Sequence, residues 1–122
     1  MRYILLILIS TLLTSVTFAS NFCEEQSHQI ELSLQSIQAV KIPDLTYTVN
    51  KENCSKVEPT LVAIGKIVPQ LTHLQTQYED YYQSCDRSMD IIYAIEEVKI
   101  NIILMGTLKD LAESLAYQCE SL

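Results

Sequence analysis

Four cysteines stand at the ends of apolar stripes that repeat with helical spacing, and that placement constrains the fold of this chain more than any other feature. They are Cys23, Cys54, Cys85 and Cys119. From Cys54, the residues Val57, Leu61, Ile64, Val68, Leu71, Gln75, Tyr78, Tyr82 and Cys85 follow at alternating steps of three and four. That is the spacing of a narrow helix-packing seam, and only Gln75 interrupts it. Ser55-x-x-Glu58 reads as a capping box at its start, with Pro59 tolerated in the first turn. Pro69 falls inside the stripe and is expected to kink or break the helix locally.

A further helix is expected to start at Asp86 or Ser88. Ile91, Ile95, Val98, Ile102, Met105, Leu108, Ala112, Leu115, Cys119 and Leu122 carry its stripe, with one slip beside Gly106. Ile100, Ile103 and Leu104 add apolar residues on other faces. The middle of this helix is therefore expected to be buried on two sides, or to split at Gly106. Ahead of both, Phe22, Ile30, Leu34, Ile37 and Lys41 mark a first helix over about 21–41. Glu24 and Glu25 sit in its first turn, where the helix dipole favours acids. Ile42-Pro43-Asp44 stops it, because a residue before proline avoids the helical region. Leu45, Tyr47 and Val49 alternate with polar residues, and this extended stretch is expected to cross the helices as a linker. Two glycines, Gly65 and Gly106, and three prolines leave few turn signals, which favours a few long helices over many short strands.

The cysteines then constrain the arrangement. A continuous helix from Cys54 to Cys85 is about 46 Å long, while a disulfide needs Cα atoms within about 7 Å. These two should not pair with each other. If the second and third long helices form an antiparallel hairpin turning near Asp86 and Arg87, Cys54 falls opposite Cys119. If the first helix runs antiparallel to the second, Cys23 lies beside Cys85. The expectation is an all-α, antiparallel three-helix bundle of long helices, stapled by Cys23–Cys85 and Cys54–Cys119. The sequential pairing, Cys23–Cys54 with Cys85–Cys119, is the alternative should Gly106 break the third helix.

Residues 1–19 read as a cleavable export signal. Met1-Arg2-Tyr3 gives a short positive start, Ile4 to Leu13 is a nearly unbroken apolar run, and Thr17 and Ala19 occupy the −3 and −1 positions of a cleavage site. The apolar run is shorter than the roughly 20 residues a membrane anchor needs. Residues 20–122 then form a single helical domain with no stable membrane span after processing. An even cysteine count in an exported chain reads as two disulfides and places the protein in the periplasm or outside the cell. The cysteines lack the close pairing of zinc ligands, so no metal and no cofactor is expected.

The formal net charge is −7 at pH 7. A chain without a basic stripe does not suit the phosphates of nucleic acid or an anionic membrane surface. His28 and His73 fall at different levels of the bundle, two glycines cannot build a phosphate cradle, and adjacent carboxylates do not share a helix face. No catalytic residue and no enzymatic activity is expected. Leu71-Thr72-His73-Leu74-Gln75 matches a Leu-Thr-x-x-Gln pattern of some small periplasmic helical chaperones once, over five residues. The cysteines depart from that pattern, and no family is read from the match. Asn53-Cys54-Ser55 has the form of a glycosylation acceptor, relevant only in a eukaryotic host.

One surface stands out. The bundle gathers Glu24, Glu25, Glu79, Asp80, Asp86 and Asp90 at one pole, with Tyr81 and Tyr93 nearby as aromatic anchors. Such a surface suits a basic protein partner, because charge steers and tyrosine anchors. The expectation is an exported interaction protein of inhibitor, immunity, secretion-accessory or adaptor type. The alternative is an ATP-independent periplasmic chaperone, using an apolar patch around Ile100 to Leu104, or a carrier of a small apolar ligand. The apolar middle of the third helix leaves room for a homodimer.

Overall fold

The computed structural model describes residues 21–122. The expected export signal, residues 1–19, lies outside them. Four helices follow in order: α1 (Asn21–Gln38), α2 (Lys51–Cys54), α3 (Val57–Ser84) and α4 (Met89–Cys119). There is no strand among the described residues. Both expected disulfides form, with Cα–Cα separations of 5.6 Å for Cys23–Cys85 and 5.9 Å for Cys54–Cys119.

The bridges and one side-chain contact set the packing. Cys23 in the first turn of α1 is tied to Cys85, just past the end of α3. Thirteen residues further along α1, Ser36 Oγ donates to Oε1 of Gln70, fifteen residues back from Cys85. Advancing along one helix while retreating along the other is the relation between neighbours of opposite direction. The turn at 85–88 joins α3 to α4, and Cys54 is bonded to Cys119 at the far end.

The core is mainly apolar, with Ser27, Thr60 and Asn101 buried beside it. Ile30, Leu34 and Ile37 of α1 meet Ile67, Leu71, Leu74 and Tyr78 of α3, and Ile91, Ala94, Val98, Met105 and Leu108 complete it from α4. The buried face of α3 is wider than the sequence stripe and rotated from it. Thr60, Ala63, Ile67, Leu74 and Tyr81 are buried, while Leu61, Val68 and Tyr82 are half-buried. A single stripe describes one interface, and α3 packs against helices on two sides.

Several local expectations are corrected. First, α1 ends at Gln38 rather than near Lys41, with Val40 N–H donating to the Ile37 carbonyl in a tightened last turn. Next, the capping box does not form. Ser55 Oγ donates to the Glu52 carbonyl instead, and α3 begins at Val57 with Lys56 as an N-cap that makes no side-chain bond. The capping falls one short helix earlier, where Asn50 Oδ1 accepts from the Asn53 N–H at 2.8 Å.

Neither Pro69 nor Gly106 breaks its helix. Pro69 and Gly65, whose carbonyl loses its partner to the proline, both face solvent. Water can satisfy that carbonyl, and Ile64, Ile67 and Leu71 hold the helix to the core on the other face. The middle of α4 is not buried on two sides, because Ile100, Ile103 and Leu104 are exposed.

Candidate functional site

The pole expected to bind a partner is assembled by the Cys23–Cys85 bridge and the short turn after α3. Cys85 N–H and Asp86 N–H both donate to the Tyr81 carbonyl, at 2.8 and 3.0 Å, closing α3. The Asp86 carboxylate then accepts from Ser88 N–H at 3.0 Å and from the Ser88 hydroxyl at 3.1 Å. This Asx turn starts α4 where Ser88, the N-cap, makes no side-chain cap of its own. Asp86 is thus engaged in shaping the turn, and is only partly open to solvent.

The other carboxylates face water. Glu24, Glu25, Glu79, Asp80 and Asp90 are all exposed. Glu25 accepts from Gln29 Nε2 at 2.9 Å and Glu79 from Gln75 Nε2 at 3.3 Å, each along its own helix. Among the described residues, no ion pair reaches any of these five; the ion pairs seen are Lys56–Glu52 and Lys99–Glu96. Arg87 sits at this end, and its Nη2 donates to Gln83 Oε1 at 3.2 Å while its guanidinium lies 6.0 Å from the centre of the Tyr82 ring. That cation is turned along the end of α3.

The two expected aromatic anchors separate. Tyr93 is 63% exposed on the outer face of α4. Tyr81 is 1% exposed and belongs to the core, so it is withdrawn from the binding surface. Tyr81 stands one step off the sequence stripe, and α3 buries that face as well. Burial first, and the Asp86 carboxylate second, push the Tyr81 phenol above its ordinary pKa.

Two features were missed in sequence. The opposite pole presents Tyr117 and Tyr47, both largely exposed, beside an open groove lined by Val49, Gln118 and Glu120. Asn53, within the glycosylation-like triplet, is buried and its amide nitrogen donates to the Thr46 and Thr48 carbonyls, so that nitrogen is not available to carry a glycan. The apolar residues around Ile100 lie outward, where the alternative chaperone reading placed an apolar patch.

Both histidines are exposed. Among the described residues no group of three or more His, Cys, Asp or Glu is placed to hold a metal ion, and no helix is long and apolar enough to cross a membrane. Two disulfides with no free cysteine are compatible with an oxidising compartment. Comparison with protein families, with curated proteins and with solved structures found no match to this chain.

Proposed function

We propose that this chain is a non-enzymatic, exported interaction protein of the periplasm or extracellular space. Its acidic pole takes a basic protein partner. The observation that carries the reading is the set of five exposed carboxylates without ion pairs among the described residues, beside the exposed ring of Tyr93. Unpaired surface charge of one sign accelerates encounter with the opposite sign, and an exposed tyrosine supplies contact area at little cost in side-chain entropy. Two disulfides and an export signal fit a protein that must persist in an oxidising compartment.

The test is capture of partners by the oxidised protein from its own compartment, repeated with Glu24→Lys, Glu25→Lys, Glu79→Lys and Asp80→Lys combined, and separately with Tyr93→Ala. Support is a complex with a basic protein that weakens as salt rises and is lost in both variants. A complex indifferent to salt and to both variants would overturn the reading.

The second reading, an ATP-independent chaperone, is favoured by one observation, the exposure of Ile100, Ile103 and Leu104. Suppression of client aggregation by the native protein would support it. A carrier of a small apolar ligand needs an enclosed pocket, and the grooves found among the described residues are open to solvent.

A further inference from the structure

The carboxylates of this acidic chain are unevenly spread. The sequence holds 15 Asp and Glu, yet none falls within residues 32–43 or within residues 59–78. The first stretch is the second half of α1 and the chain leaving it, and the second is most of α3. A groove open to solvent runs between the two. One part, of about 400 Å³, is lined by Lys41, Lys66 and Val62 among others, and the next, of about 350 Å³, by Pro69 and His73. Ser36 and Gln70 line both parts, so the groove is continuous across the hydrogen bond that joins them.

Two lysines set its charge. Lys41 and Lys66 are exposed, and neither makes an ion pair among the described residues. By contrast, Lys56 and Lys99 are each paired with a glutamate, and Arg87 is turned onto Gln83 and Tyr82. The acids nearest in sequence are Glu31, Asp44, Glu58 and Glu79, and none of them lines the groove. The polar groups of the floor are already engaged, since Gln70 accepts from Ser36 and donates to the Lys66 carbonyl at 3.0 Å. The two ammonium groups are what is left to recognise a ligand, with the exposed apolar surface of Val62 and Pro69 beside them.

We infer that this groove binds an acidic peptide segment of a partner protein in extended form, its carboxylates on Lys41 and Lys66 and its chain running towards His73. Charge complementarity selects an acidic occupant. Length selects an extended one. From Pro59 to His73 the groove follows α3 for about 21 Å, which about six residues span at roughly 3.3 Å each. Openness selects a peptide, because a small carboxylic acid would be left largely uncovered in a groove open along its length. The acidic pole repels such a segment, so the groove is a second surface of opposite sign, for a different class of partner from the basic one proposed above.

The experiment is a nuclear magnetic resonance titration of the isotope-labelled, oxidised protein with a blocked hexaglutamate peptide in about 20 mM salt. The expected result is a set of amide shifts confined to the groove, around Ser36, Lys41, Lys66 and Gln70. A dissociation constant of about 1 mM is expected from a few exposed ion pairs. Raising the salt to about 0.3 M should remove the shifts. Lys41→Gln with Lys66→Gln should weaken binding about tenfold. Both side chains are exposed, so the double variant should keep its disulfides and the rest of its spectrum. Blocked hexaglutamine should leave the groove amides in place. Shifts as large around Lys51 and Lys109 would show general attraction to lysine and overturn the proposal, as would binding untouched by the double variant. Equal shifts from free glutamate at the same carboxylate concentration would reduce the groove to a simple anion site. Shifts of the same amides with protein concentration alone would give it to a second copy of the chain, and either result overturns the peptide. The acidic pole is unchanged in these variants, so capture of a basic partner stands or falls separately.

Discussion

Asn53 and Thr46 are joined along both edges of one amide. Thr46 N–H donates to Asn53 Oδ1 at 2.9 Å, and Asn53 Nδ2 donates back to the Thr46 carbonyl at 2.7 Å. The same nitrogen donates to the Thr48 carbonyl at 2.7 Å. Asn53 is buried, so the side chain supplies the loop with the backbone partners that a neighbouring strand would otherwise give. This holds the 45–50 segment down and keeps Leu45 in the core. Asn53→Ala removes three bonds at once and leaves backbone groups unpaired. A loss of roughly 2–3 kcal/mol is expected in urea unfolding of the oxidised protein. A midpoint equal to wild type would mean the loop is held by packing alone.

The disulfide pairing was legible because helix length excluded one alternative and index matching ordered the rest. The same reasoning could not see Asn53, whose role depends on a loop folding back over it. Nor could it place Tyr81. An alternating three-and-four stripe selects residues facing one neighbour, and α3 has two. Ile100 and Ile103 were open to two readings, burial on a second side of the helix or an apolar patch at the surface, and apolar spacing alone does not choose between them. The acidic side chains were placed at their helix ends by the same logic that paired the cysteines, but no pattern distinguishes Asp86, engaged by Ser88, from its exposed neighbours.

The two bridges are separable tests of the packing. They span 62 and 65 residues, loops for which the chain-entropy account gives about 4 kcal/mol each. Replacing Cys23 and Cys85 together by alanine should lower stability by roughly 2–5 kcal/mol and loosen α1 first. Replacing Cys54 and Cys119 should cost a similar amount and loosen the opposite end, where α2 meets the end of α4. Hydrogen exchange resolved along the chain distinguishes them. Identical exchange patterns in the two variants would contradict separate roles at the two ends.

Thr60 offers a gain in stability. It is 0% exposed, and its Oγ1 has no hydrogen-bond partner among the described residues. A buried hydroxyl without a partner carries a desolvation penalty, and valine has nearly the same shape and the same χ1 restriction. Thr60→Val should raise stability by about 1 kcal/mol. A loss would show that the hydroxyl has a partner in solution, such as an internal water.

Tyr78 makes stability depend on alkaline pH. Its ring is 0% exposed and its hydroxyl has no hydrogen-bond partner among the described residues. Burial first, and the nearby Glu97 carboxylate second, hold the phenol well above its ordinary pKa of 10.0. In the unfolded chain the same phenol ionises near 10. Below that pH both states keep the proton and the shift has no effect. Above it the unfolded state releases a proton that the fold retains, so stability falls as pH rises past about 10. Tyr81 is raised in the same direction and adds to the slope. Tyr78→Phe removes one of these groups along with a hydroxyl that lacks a partner. At about pH 8 the variant should be as stable as wild type or slightly more so. At about pH 10.5, just above the unfolded phenol pKa, it should lose less of its urea midpoint than wild type does. Equal losses in the two proteins at the higher pH would show that Tyr78 ionises within the fold as readily as it does outside it, and that the α3–α4 interface admits water at its ring.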